Sequence, residues 1–133
     1  MSQDIQLRAI FEIAGFPEEH IKKTLGLKEE QLKNLFNVTK SKINPPQQVE
    51  NSKIFSGFIE QEILVKTLSD IIGMVLDHMP SSIEILEPEN ISENTDDLNP
   101  LLNDLIASVH NYDMLLKRLK AETVILKKEN KKS

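Results

Sequence analysis

Side chains able to do chemistry are few in this sequence and are not grouped. Its three histidines, His20, His78 and His110, fall in separate segments. No two of them stand three or four places apart, the spacing by which neighbours on a helix share a metal ion. Asp77 and His78 are adjacent, so on a helix they point in different directions and form an isolated pair. The acidic residues Glu87, Glu89, Glu93, Asp96 and Asp97 cluster without the spacing of an EF-hand loop. No glycine-rich phosphate loop and no Gly-x-Ser-x-Gly turn is present, and the lack of cysteine excludes thiolate nucleophiles, disulfides and cysteine-based metal sites. These patterns point away from an enzyme and call for no metal and no cofactor.

The elements that would have to position any functional residue read as helices, and the fold class expected is all-α. Leu7, Ile10, Phe11 and Ala14 follow the spacing of one helical face and Gly15 ends it, predicting a helix over about 3–14. Pro17 suits a first turn, and Ile21 with Leu25 forms an inward stripe before Gly26, predicting a second helix over about 17–25. Leu32, Leu35 and Phe36 share one side of a third, over about 28–36. Residues 1–44 thus read as a compact three-helix head. The Pro45-Pro46 pair opens a linker, 45–53. A long helix is expected over about 54–79, apolar around much of its circumference, with Phe58, Leu68, Ile72 and Val75 among its packing residues. Pro80 stops it, residues 80–97 read as an acidic loop, and Asn99-Pro100 reads as the start of a last helix reaching about Asn130.

Leu98, Leu105, Tyr112, Leu119 and Leu126 recur every seven residues, which predicts a coiled-coil seam. Its partner is either helix 54–79 of the same chain or the same helix of another subunit. A head of this size with two long amphipathic helices, in a chain of 133 residues, leaves more apolar surface than one copy can bury, so residues 54–133 read as an oligomerisation region. A monomeric bundle is the alternative. Charge is strongly segregated: net +1 over 1–44, −3 over 45–79, −8 over 80–113 and +5 over 114–133. The basic tail suits a polyanion, a contact between subunits, or simply the C-terminal end of a helix dipole. No apolar run approaches the length of a membrane span, and the first residues lack the apolar core of a signal peptide, so a cytoplasmic protein is expected, in the host cytoplasm if viral.

The stretch from Glu18 to Phe36 resembles a helix-turn-helix. Gly26 stands in the turn, Leu25 and Leu27 flank it, Leu32 anchors the following helix, and Ile21 with Leu35 completes the core. That head, a linker, long oligomerising helices and a charged tail together resemble the small terminase subunit of a tailed bacteriophage, a likeness of architecture across most of the chain. The resemblance implies a DNA-packaging adaptor: a ring of subunits whose heads recognise double-stranded DNA and whose C-terminal region engages a larger motor protein. The contacts it implies are Lys22, Lys23, Lys28, Gln31, Lys33 and Asn34, with Lys40 and Lys42 on neighbouring phosphates. Gly15-Phe16-Pro17 followed by Leu25 also resembles a ubiquitin-associated domain, which implies docking of a protein instead. Two functions are therefore expected from the sequence: a non-enzymatic, oligomeric DNA-recognition subunit, or a helical protein-binding scaffold or regulator.

Overall fold

The computed structural model describes residues 4–132, with side chains from Asp4 to Asn130. Among these the chain is mixed α/β and not all-α. It runs β1 (Ile5–Gly15), α1 (Glu18–Leu35), β2 (Asn37–Gln48), β3 (Phe55–Val65), α2 (Leu68–His78), β4 (Ser82–Glu87) and α3 (Thr95–Lys132). The strands form one antiparallel sheet in the order β2-β3-β1-β4. A βαββαβ chain threaded in that order is the split βαβ arrangement of ferredoxin-like folds. The residues divide into two compact units, one ending at Ile91 and the other beginning at Ser92.

The first segment is a strand because its apolar residues alternate. Ile5, Leu7, Ala9 and Phe11 are buried while Gln6, Arg8 and Ile10 between them are half-buried, a period of two that a helix cannot satisfy. Leu7, Ile10, Phe11 and Ala14 fit a helical face by coincidence, and the expected helix from residue 3 is overturned; residues 1–3 lie outside the described residues. Gly15, at φ +155°, adopts a backbone conformation open to glycine and ends β1 beside Ile21.

α1 is one continuous helix, which overturns both the three-helix head and the helix-turn-helix. Glu18 and Glu19 face its positive end, and Ile21, Leu25 and Leu32 form a single buried stripe that continues past Gly26, which lies off it. The surrounding Lys, Glu, Gln and Leu are good helix formers, so one glycine, costing about 1 kcal/mol, does not break it. With no three short helices, the ubiquitin-associated resemblance loses its frame as well.

The expected linker is also structured. Pro45 and Pro46 lie in β2, an edge strand where a missing N–H is tolerated, and the register shifts between Asn44 and Gln47. A turn follows, closed by Val49 N–H donating to Ile54 O at 2.8 Å, with Asn51 left-handed at φ 60°. The expected helix 54–79 is instead β3 followed by α2. Gly57, Ile59, Gln61, Ile63 and Val65 point inward in strict alternation. The turn to α2 is fixed by a capping box in which Thr67 Oγ1 accepts from Asp70 N–H at 3.1 Å and Asp70 Oδ2 accepts from Thr67 N–H at 3.2 Å. The pair of long helices that was to form the coiled-coil seam and oligomeric helical core therefore does not exist. Part of the expected acidic loop is β4, anchored where Ser81 N–H donates to Ile10 O at 2.7 Å.

The core lies between the sheet and the two helices α1 and α2. β1 contributes Leu7 and Phe11, β3 Ile59 and Ile63, α1 Ile21, Leu25 and Leu32, and α2 Ile71 and Met74. α1 rides close over Gly57, where an added Cβ would stand 2.5 Å from Leu25 Cδ1 and 3.1 Å from the Asn44 carbonyl oxygen. In the second unit the expected last helix is present and longer, starting where Asn94 Oδ1 accepts from Asp97 N–H at 2.9 Å and carrying Pro100 within it.

Two glycine substitutions should move stability in opposite directions. Gly26→Ala, with nothing within 4 Å of its new methyl, should stabilise the fold by about 0.5–1 kcal/mol. Gly57→Ala should cost about 1–3 kcal/mol by overpacking. Urea denaturation followed by circular dichroism reads both; a loss of stability in Gly26→Ala would return Gly26 to a turn.

Candidate interaction surfaces

Because side chains alternate along a strand, the sheet has a second face, turned away from α1 and α2. A row of alternating charge crosses all four strands there. Lys40 on β2 stands opposite Glu62 on β3, Glu62 opposite Arg8 on β1, and Arg8 opposite Glu84 on β4. Lys40 Nζ lies 3.5 Å from Glu62, and Arg8 reaches three carboxylates: Glu84 at 3.1 Å, Glu60 at 3.5 Å and Glu62 at 4.0 Å. Arg8, Lys40, Ser41, Lys42, Glu60 and Glu62 line a shallow depression of about 470 Å³. This outer face holds Arg8, Lys40 and Lys42 against Glu12, Glu60, Glu62 and Glu84, so its cations are largely neutralised by its own carboxylates. Phosphates would have to displace those partners. The four strands carry no histidine or tyrosine.

A second cluster sits on the helices. Lys28 Nζ donates to Nδ1 of His78 at 2.9 Å, which places the proton of the neutral ring on Nε2. Phe36 stands edge-on to that ring, centroids 5.4 Å apart. Burial lowers the pKa of His78, the Lys28 charge lowers it further, and Asp77 opposes both. Burial also lowers the pKa of Lys28. The contact thus joins a lysine to an imidazole that resists protonation.

A polar thread crosses the helix-facing side. Gln61 is fully buried; its Nε2 donates to Ser41 Oγ at 3.0 Å, and Ser41 Oγ donates to Glu29 at 2.7 Å. Gln61 Oε1 has no hydrogen-bond partner. Ser41 is therefore occupied as a link between β2 and α1.

The residues expected to contact DNA do not converge. Lys22, Lys23, Lys28, Gln31, Lys33 and Asn34 lie along one helix, α1, while Lys40 and Lys42 lie on the sheet face opposite it. Lys28 is engaged with His78, Lys33 lies within 4 Å of Glu29 and Glu30, and Lys40 is paired with Glu62. The residues expected to oligomerise are divided too. Phe58 is on the outer sheet face, and Leu68, Ile72 and Val75 belong to α2, where Leu68 packs on the core and Val75 is exposed. Leu98, Leu105, Tyr112, Leu119 and Leu126 share another element, α3. Sequence reading missed Arg8, Glu60, Glu62 and Glu84, whose signal was alternation: Arg8 between Leu7 and Ala9, Glu60 and Glu62 on either side of Gln61, and Glu84 between Ile83 and Ile85.

A family match spans residues 5–132, nearly the whole described chain. The chain belongs to the MJ0538 family. No curated protein and no solved structure matches it. Among the described residues of this MJ0538-family chain, no group of three His, Asp or Glu side chains is placed to hold a metal ion, and no helix is long and apolar enough to cross a membrane.

Two solution tests follow. Arg8→Ala leaves three carboxylates facing one another and should destabilise by about 1 kcal/mol, allowing for solvent screening. The loss should shrink near 1 M salt, where the Debye length is about 3 Å; urea midpoints at both ionic strengths read it. For His78, the folded pKa lies below the unfolded one, so stability is full above the ordinary histidine range and declines as pH falls through the folded value. Urea midpoints should drop between about pH 7.5 and about pH 5, and the drop should be smaller in His78→Gln.

Proposed function

We propose that this chain is a non-catalytic assembly protein, in which the βαββαβ unit is a self-contained platform and α3 is the element that binds another protein chain. The observation that carries this reading is the state of the apolar stripe on α3. Leu102, Val109, Leu116, Leu119 and Leu126 recur at helical spacing and are 46%, 55%, 57%, 49% and 59% exposed. The sheet unit, by contrast, buries a continuous core of its own. At 38 residues α3 spans about 57 Å. A helix of that length with one apolar face is stabilised chiefly by packing that face against something else, and a contiguous exposed apolar stripe is the signature of an interaction site. The outer sheet face, with its charges paired among themselves, is the less suited of the two surfaces to capture a ligand.

Hydrogen exchange tests this on the full chain. Amides of α3 should be protected when a partner is engaged, and Leu105→Asp with Leu119→Asp should remove that protection while leaving the exchange of β1 and β3 unchanged. Slow exchange of α3 in a single, unassociated chain would mean that its stripe is satisfied internally, and the assembly reading would be abandoned.

A further inference from the structure

Resting on that reading of α3, we infer that its partner is a second copy of the same helix, paired antiparallel. The argument is the distribution of charge along a single element. Divided at its midpoint, α3 has two halves of equal length, 95–113 and 114–132. The first carries Asp96, Asp97, Asp104 and Asp113 and no Lys or Arg; in the second, Lys117, Arg118, Lys120, Lys127 and Lys128 outnumber Glu122 and Glu129. The helix dipole accounts for acidic residues in a first turn and basic residues in a last one, and its influence fades within a turn. Asp104, Asp113, Lys117, Arg118 and Lys120 lie well inside α3, beyond its reach.

A two-fold interface must be complementary to itself. Antiparallel pairing about the midpoint lays each acidic half against a basic half, with the apolar stripes of the two copies between them and the two dipoles opposed. Parallel pairing would set acid on acid and base on base along the whole length. Within one copy, Lys117 Nζ already binds Asp113 at 2.8 Å, so the centre of the helix is charge-balanced and the complementarity resides in the flanks.

Light scattering after size exclusion, with hydrogen exchange on the same samples, tests this on the full chain. The parent should have the mass of two chains and dissociate as salt is raised. Reversing the basic half with Lys117→Glu, Lys120→Glu, Lys127→Glu and Lys128→Glu should raise the dissociation constant roughly tenfold or more, because both halves are then acidic. Adding Asp96→Lys, Asp97→Lys, Asp104→Lys and Asp113→Lys to that chain should restore the dimer, with circular dichroism confirming that each variant keeps its helix. If the first reversal leaves the dimer intact, or the second fails to restore it, antiparallel charge pairing is overturned. A parent of single-chain mass whose α3 amides are unprotected overturns self-pairing and leaves the assembly reading to a different protein partner; single-chain mass with protected α3 amides overturns both.

Discussion

The sheet unit depends on the register between β1 and β3. The two strands are paired over their full length, from Ile5 opposite Val65 to Gly15 opposite Phe55. That one alignment sends Leu7, Phe11, Ile59 and Ile63 toward the helices and Arg8, Glu60 and Glu62 to the other side. A slip of one residue would turn one strand over relative to the other, burying Arg8 if β1 turned or Glu60 and Glu62 if β3 did, at a cost of several kcal/mol each unless paired. The other parts are attached to this pair: β2 extends it beyond β3, β4 extends it beyond β1, and α1 and α2 cover the side it makes apolar.

Gln61 is the polar exception on the inward side. Its burial is tolerated because Ser41 and Glu29 continue the hydrogen bonding out to α1, while the unpartnered Oε1 leaves a local cost of about 1–3 kcal/mol. The thread also couples β2, the strand made irregular by two prolines and two register shifts, to the long helix above it. On the outer face the same alternation produces a charged surface that neutralises itself. Arg8 is its hub because it lies on a central strand, within reach of carboxylates on both neighbours.

The second unit follows a different physical logic. The sheet unit closes a core from residues far apart in the chain, whereas α3 has a face defined wholly by its own periodicity and a charge gradient defined wholly by its own sequence. In the proposed assembly such an element buries its stripe against a partner. Paired as proposed, a helix acidic in one half and basic in the other would meet both requirements against a reversed copy of itself.

Those two logics also explain what was legible. The heptads from Leu98 to Leu126 and the Asn99-Pro100 pair predict a helix, and a helix is what α3 is, because its hydrogen bonds and its periodicity are local; even there Asn99-Pro100 reads as cap and first turn, five residues beyond the observed pair Asn94 and Thr95, since Asn-Pro is a strong but not unique cap. In residues 5–65 the local signals were ambiguous. Leu7, Ile10, Phe11 and Ala14 satisfy a helical spacing while Ile5, Leu7, Ala9 and Phe11 satisfy a strand. Gly26 suits a turn or an interior position, and Pro45-Pro46 suits a linker or an edge strand. By itself the sequence determined the charge segregation, the lack of cysteine and the amphipathic C-terminal helix. Tertiary structure alone decided that residues 5–15 and 55–65 are strands, that 18–35 is one helix, and that Arg8 meets Glu60, Glu62 and Glu84. Strand pairing is a contract between residues some fifty positions apart, and neither partner's local pattern can show that the other will be there.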